Sequence, residues 1–232
     1  MKDIFDNYIE NAFDGYKQAE FKFKQFENNY RRYFPEDKKA KLLDIGIGRG
    51  EMLTCMNNWG YADYLGVDIS PSTVKFCEQM GLNCIYVDDT AKWLSAIDSV
   101  YDVITLLDVL EHFQKADVIP FLRTLYKAVK PGGKVIIQVP NLQAPDSQLH
   151  RYNDFTHQIG FIEHSLQQVL IASGIKNISF IGFEDHITEG YKTKIRIVLR
   201  SLYWKYCRFV RGINTNLNPQ ILNPVFFAVV VK

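Results

Sequence analysis

Two histidines stand where a proton could be moved. His112 directly follows Glu111 at the end of the apolar run Tyr101 to Leu110. His157 closes the polar, aromatic run His150-Arg151-Tyr152-Asn153-Asp154-Phe155-Thr156-His157. A hydroxyl is a poor nucleophile until its proton has somewhere to go, and a neutral imidazole is the side chain suited to receive it near pH 7. Position makes His157 the first candidate base and His112 the second. Asp154, three residues before His157, is placed to orient that imidazole if the run curls into a turn. The competing role for each histidine is structural, a hydrogen bond that fixes a loop. His150, His164 and His186 are less well placed, and His164 falls where a helix begins.

A second set of chemistry-bearing residues lies in Leu42-Leu43-Asp44-Ile45-Gly46-Ile47-Gly48-Arg49-Gly50-Glu51. Lys41 to Ile45 is a short apolar run of the kind a doubly covered parallel strand needs, and the three glycines leave backbone without Cβ atoms where a ligand comes close. Met52, Leu53 and Met56 then set a helical period. Strand, glycine turn and helix hold a nucleotide-type ligand at the carboxyl ends of the strands of an open α/β sheet. Tyr64 to Ser70 reads as a second strand ending in Asp68, about 20 residues on, where a carboxylate meets two ribose hydroxyls. Dinucleotide enzymes space their glycines G-x-G-x-x-G. Here the order is Asp44-x-Gly46-x-Gly48-x-Gly50, with the acid two residues before the first glycine.

That loop resembles motif I of class I S-adenosylmethionine-dependent methyltransferases. The later stretches Cys84-Ile85-Tyr86-Val87-Asp88-Asp89-Thr90, Tyr101 to His112, and Lys130-Pro131-Gly132-Gly133 before Lys134 to Val139 resemble the remaining motifs in order. The resemblance covers residues 40 to 140 and implies S-adenosylmethionine as cofactor, with S-adenosylhomocysteine as product. It implies that Asp68, with Ile69 beside it, binds the ribose. Asp89 or Asp88, next to Thr90, would accept from the adenine amino group. Asp44, Gly46, Gly48, Leu107 and Asp108 would then surround the methionine portion. No metal or covalent intermediate is required of such an enzyme.

The acceptor is the less determined half. The Asn- or Asp-Pro-Pro-aromatic tetrad of nucleic-acid amino methyltransferases is absent, Leu107-Asp108-Val109-Leu110 standing in its place, which argues against a DNA base and a nucleic-acid partner. The Asp154-Phe155-Thr156-His157 segment, with Asn141 after strand five, resembles bacterial methyltransferases of O-antigen and capsule biosynthesis. Ile47 replaces a frequent Cys of that group, and Phe155 a frequent Pro. The expectation is an O-methyltransferase of a sugar, nucleotide-sugar or glycan, with Asn141, Arg151 and Tyr152 on the acceptor. The alternatives are a quinone-type or amine metabolite, because Glu-His after strand four also occurs in quinone-type methyltransferases, and a non-catalytic cofactor-binding partner protein.

These residues need a scaffold. Strands near 41–46, 63–68, 83–88, 101–108, 134–140, 177–183 and 225–231 alternate with helices, so the expected fold is an α/β Rossmann-like, mostly parallel seven-stranded sheet. The resemblance implies that its last strand is antiparallel and inserts between the fifth and sixth. Residues 1–40 are rich in aromatics, and helical spacing from Tyr16 to Tyr33 predicts a helix that either packs on the sheet edge or, as the resemblance implies, serves as a lid or cap over the cofactor. In it Tyr30, Arg31 and Arg32 are candidates to reach the methionine end. Residues 41–232 would form the methyltransferase domain, with a helical insertion at 188–220. Residues 191–211 carry seven cations and no acid. They read as a helix docked by its apolar face, as a basic rim for an anionic acceptor, or as an interfacial helix on an anionic membrane.

The chain has 232 residues, 47% of them hydrophobic, enough for a sizeable core, and a net charge of +1 that exerts no global pull on nucleic acid. Its four cysteines form no C-x-x-C pair and read as reduced core residues. The N-terminus lacks a secretory hydrophobic region, so the expected compartment is the cytoplasm, extending to the inner face of the membrane if the basic helix binds there.

Overall fold

The computed structural model describes the whole chain except Met1, residues 13–19, Asp146, residues 186–189 and residues 216–218. Tyr16, which opens the expected N-terminal helix, and His186 therefore lie outside the described residues. Seven strands are present among the described residues: β1 (Leu42–Ile45), β2 (Tyr64–Asp68), β3 (Cys84–Tyr86), β4 (Tyr101–Leu107), β5 (Val129–Pro140), β6 (Ile178–Gly182) and β7 (Val225–Val231). They form one sheet in the order β3-β2-β1-β4-β5-β7-β6. Pairs from β3 through β5 are parallel, whereas β7 runs antiparallel to both β5 and β6. Strand order reverses between β1 and β4, the position at which open α/β sheets bind ligands.

The helices are α1 (Lys2–Asp6), α2 (Tyr8–Ala12), α3 (Glu20–Tyr30), α4 (Glu51–Asn58), α5 (Pro71–Gln79), α6 (Thr90–Ser95), α7 (Val118–Ala128), α8 (Ser147–Tyr152), α9 (Glu163–Ala172) and α10 (Tyr191–Asn214). Strand residues alternate between two cores. Leu43, Ile45, Ile137, Phe226 and Ala228 face α6, α7 and α9. Leu42, Ile136, Phe227 and Val229 face α3, α4 and α5. This period of two is what a sheet covered on both faces imposes. Local chemistry sets the helix starts. Pro71 occupies the first turn of α5 while the Ser70 hydroxyl accepts from the Thr73 N–H at 3.3 Å. Asp89 caps α6 through the Lys92 N–H at 2.9 Å.

Three expectations need correction. Lys130-Pro131-Gly132-Gly133 does not precede β5 but lies within it, the strand starting at Val129 and not near 134, with the register shifting opposite Tyr101 and Val103. A Cβ on Gly133 would lie 2.9 Å from the Asp102 carbonyl oxygen, so the bulge closes only around glycine. Tyr30 does not reach the methionine end: it is fully buried on the α3 face and donates to Gln138 Oε1, while Arg31 stacks on Trp59 and Tyr61, and Arg32 on Tyr33. Finally, α10 is not docked by its apolar face. None of its residues is buried, and the half-buried side turned to the protein carries Arg200, Arg208 and Arg211 beside Trp204, Cys207 and Val210.

Candidate active site

The glycine loop runs from the end of β1 into α4 with Gly46, Gly48 and Gly50 at φ 76°, 51° and 72°. A Cβ on Gly46 would sit 2.2 Å from Val109 Cγ2, so the loop is pressed against the segment that follows β4. It opens on a cleft of ≈ 1430 Å³ at the carboxyl ends of the strands. Asp44, Gly46, Gly48, Asp68, Ile69, Asp88, Asp89, Thr90, Leu107 and Asp108 all line this cleft, as do His112, His157 and Asp154.

Buried carboxyls give the cofactor end its character. Asp44 is pushed up to about 7 by burial, against a 2.5 Å hydrogen bond from the Thr105 hydroxyl, and the negative charges of Asp68 and Glu51 add to the rise. Asp68 is pushed up to about 6 by burial, partly offset by backbone N–H groups of Ser70, Ile47, Gly48 and Ile69. Crowding acids in a cleft is costly unless a ligand brings donors and positive charge. The sulfonium, ammonium and ribose hydroxyls of S-adenosylmethionine are such a complement, so the residues present fit that group. Asp89 keeps one carboxylate oxygen on the α6 cap and has the other for a ligand. Asp108 sits at φ 54°, a left-handed conformation for a non-glycine residue. Gln138 Nε2 donates to its carboxylate at 2.8 Å, and Tyr30 in turn holds Gln138. Tyr30, one of the three N-terminal candidates to reach the ligand, thus acts two side chains away.

At the far end lies an acid–base assembly. The Thr156 hydroxyl donates to Asp154 Oδ1 at 2.6 Å and lies 2.8 Å from His112 Nδ1. Its single proton is used on Asp154, so it accepts from His112 Nδ1–H, which leaves Nε2 as the basic nitrogen. Burial, with the neighbouring His157, lowers His112 to about 4 in spite of Asp154 and of hydrogen bonds to the Thr156 and Asp108 backbone. Burial also opposes ionisation of Asp154, yet bonds from Thr156 and from the Tyr8 hydroxyl at 3.0 Å hold its pKa below the usual value. Asp154 therefore orients His112 through Thr156, not His157 as its sequence spacing suggests. His157 Nδ1 faces the His150 carbonyl at 3.1 Å and its Nε2 lies 4.0 Å from Glu111 Oε1.

Glu111 is 2% exposed and neither carboxylate oxygen has a hydrogen-bond partner. Burial, reinforced by Asp108, raises its pKa well above the ordinary value. Glu111, His112 and His157 each offer one donor atom within 4.8 Å of the others, close enough for a divalent cation to bridge. A metal-free site is therefore not something the geometry dictates.

The three acceptor residues expected from the sequence are elsewhere. Asn141 is fully buried and spends its amide on the Ile221 and Asn223 carbonyls and the Gln143 N–H. Arg151 ties down the His157 and Gln158 carbonyls, and Tyr152 is 78% exposed outside the cleft. In their place Phe5 and Tyr8 cover His112, their ring centroids 6.0 Å and 6.4 Å from its own. The aromatic richness of the first residues was the available signal. Nothing in the sequence linked Thr156 or Tyr8 to His112.

A mixed sheet with an antiparallel β7, a glycine loop after β1 and acids closing β1 and β2 define a class I S-adenosylmethionine-dependent methyltransferase. The chain belongs to the methyltransferase domain family, whose sequence profile matches residues 18–179. It is 35% identical over 182 residues to a ubiquinone biosynthesis O-methyltransferase of Aliivibrio fischeri, covering 69% of this chain and 76% of that one. It is 34% identical over 105 residues to the protein of that name in Cereibacter sphaeroides, covering 44% of this chain and 41% of that one. The chain thus spans less than half the length of this second relative. A SAM dependent methyltransferase from Archaeoglobus fulgidus shares the fold with a TM-score of 0.71 at 23% identity, over 97% of this chain and 98% of that one.

Proposed function

We propose that this chain O-methylates a small aromatic acceptor, with His112 receiving the hydroxyl proton. The observation that carries this reading is the relay Asp154–Thr156–His112, which holds a neutral imidazole at the cleft beneath Phe5 and Tyr8. S-adenosylmethionine supplies an electrophilic methyl group. The chain's part is to bind it through Asp68 and the glycine loop, to exclude water with the N-terminal aromatics, and to take up the proton. An imidazole lowered to about 4 is a weak base and needs an acidic hydroxyl. A phenol, with a pKa of about 10 by analogy with tyrosine, meets this need better than a sugar alcohol. The names of the ubiquinone biosynthesis relatives point the same way. The sugar expectation rests on the Asp154-to-His157 run, and here Asp154 and Thr156 are spent on His112.

Methyl transfer to catechol-type phenols and to nucleotide-sugars, read by mass, tests the proposal. Phenol methylation that His112→Ala suppresses, with cofactor affinity kept, supports it. Methylation of nucleotide-sugars with phenols untouched would sink it.

A further inference from the structure

The helix α10 is built inside out. Its protein-facing side is anchored by arginines beside Trp204 and Cys207: Arg200 donates two bonds to the Glu184 carboxylate at 2.7 and 2.8 Å and stacks on Trp204. Arg208 donates to the Gln220 carbonyl at 2.8 Å, and Arg211 to the Gln143 carbonyl at 2.5 Å. Residues 200, 204, 208 and 211 recur every three or four positions and define one stripe. On the opposite side, Ile195, Leu199, Leu202, Tyr206, Phe209 and Ile213 form a second stripe at the same spacing, each between 53% and 68% exposed. None of these joins either core of the sheet, and no described residue of α10 lines the cleft. An uninterrupted apolar stripe of this length on a protein surface marks a contact face.

Charge identifies the occupant. At about 100° per residue, Lys194 and Lys205 border the stripe on one side and Lys192 and Arg196 on the other, and the helix contains no acid. A second copy meeting this face would bring four more cations against these four. An anionic lipid surface would neutralise them while the stripe enters the headgroup boundary. We infer that α10 is an interfacial helix that docks the protein on anionic lipid, lying in the membrane surface without crossing it. No helix among the described residues is long and apolar enough to span a bilayer. The anchoring arginines give the helix its orientation, because they hold it by their own side and leave the exposed apolar stripe to the lipid. The inference does not depend on which acceptor the cleft takes.

Co-sedimentation of the full chain with phosphatidylcholine vesicles, with and without phosphatidylglycerol, reads this directly. The protein is expected on the anionic vesicles and largely absent from the neutral ones, with binding that weakens as salt rises. Leu199→Glu combined with Phe209→Glu is expected to reduce binding to the neutral baseline. Both side chains are exposed, so circular dichroism and cofactor affinity are expected unchanged. Lys194→Ala combined with Lys205→Ala keeps the apolar stripe and is expected to lower partitioning by about fivefold per cation. Equal binding to neutral and anionic vesicles, or undiminished binding by the Glu variant, overturns the inference. So does a dimer in light scattering that the Glu variant dissolves, which would assign the face to a second copy.

Discussion

His112 Nδ1 lies 2.8 Å from the hydroxyl of Thr156, whose proton is already committed to Asp154. This contact selects the tautomer that leaves Nε2 basic, and with it which imidazole can serve as the base. His112→Ala is expected to lower turnover by about 10² to 10⁴, the usual worth of a general base, while calorimetry shows cofactor affinity kept. Thr156→Val removes the acceptor for Nδ1–H without removing the base, so a smaller loss in the same parameter is expected. Turnover unchanged in both variants would show that solvent takes the proton.

The pH dependence follows from signs. His112, lowered to about 4 from 6.5, stays neutral in the folded protein down to that region, so the acid limb of kcat/KM governed by it is expected near pH 4. Its contribution to stability is present above the unfolded value of 6.5 and is lost as pH falls through 4. Asp44 and Asp68, raised to about 7 and 6 from 3.8, have the opposite sense: their stability is full below 3.8 and is lost as pH rises through the folded values. Cofactor-free protein is therefore expected to lose stability on the order of a few kcal/mol between pH 4 and 7 from these two acids. S-adenosylmethionine, by bringing positive charge and donors, is expected to recover part of it. A melting temperature that rises steadily over that range without cofactor would contradict this assignment.

Asp68→Ala tests the cofactor end separately. It removes charge-assisted bonds to the ribose worth about 1.5 to 3 kcal/mol, which corresponds to a loss of affinity of roughly 10- to 150-fold. Since the carboxyl is buried at a cost, the variant is expected to melt no lower than the parent at neutral pH. A titration giving unaltered affinity would place the ribose elsewhere.

What the sequence made legible and what it hid divide along contact range. The cofactor loop could be read because Asp44, Gly46, Gly48 and Gly50 lie in one short stretch and their spacing is itself the geometry. Asp68 could be read because it ends the next strand. The antiparallel β7 was available only through resemblance, since no local pattern tells which neighbours Val225–Val231 pairs with. The proton relay joins Tyr8 to Asp154 across 146 positions and Thr156 to His112 across 44, distances over which spacing says nothing. Proximity in the chain instead suggested Asp154 with His157. Asn141 and Arg151 looked available for a ligand because they are polar and lie after a strand, yet backbone carbonyls consume them, for Asn141 those of Ile221 and Asn223 before β7 and for Arg151 those of His157 and Gln158 in its own loop. In α10 the periodicity showed two faces but not which one turns inward. That depends on Glu184, Gln143 and Gln220, none of them on the helix.

Gly46 offers a prediction that separates backbone strain from steric contact. At φ 76° an alanine pays for a left-handed conformation, about 1 to 2 kcal/mol, and its Cβ would fall 2.2 Å from Val109 Cγ2, a distance that forces one of the two segments to move. Because this loop positions the cofactor, Gly46→Ala is expected to lower both the melting temperature and the affinity for S-adenosylmethionine. Val109→Ala deletes both Val109 methyls, including the one that would be struck, and is expected to be mild by itself, since Val109 is only partly buried. Combining the two substitutions is expected to recover the steric part of the loss and leave the conformational part, so their effects are non-additive by a favourable coupling of about 0.5 to 3 kcal/mol. Strict additivity in that cycle, measured by denaturant unfolding, would mean that the loop yields without pressing on Val109, and that the close approach is not what requires glycine there.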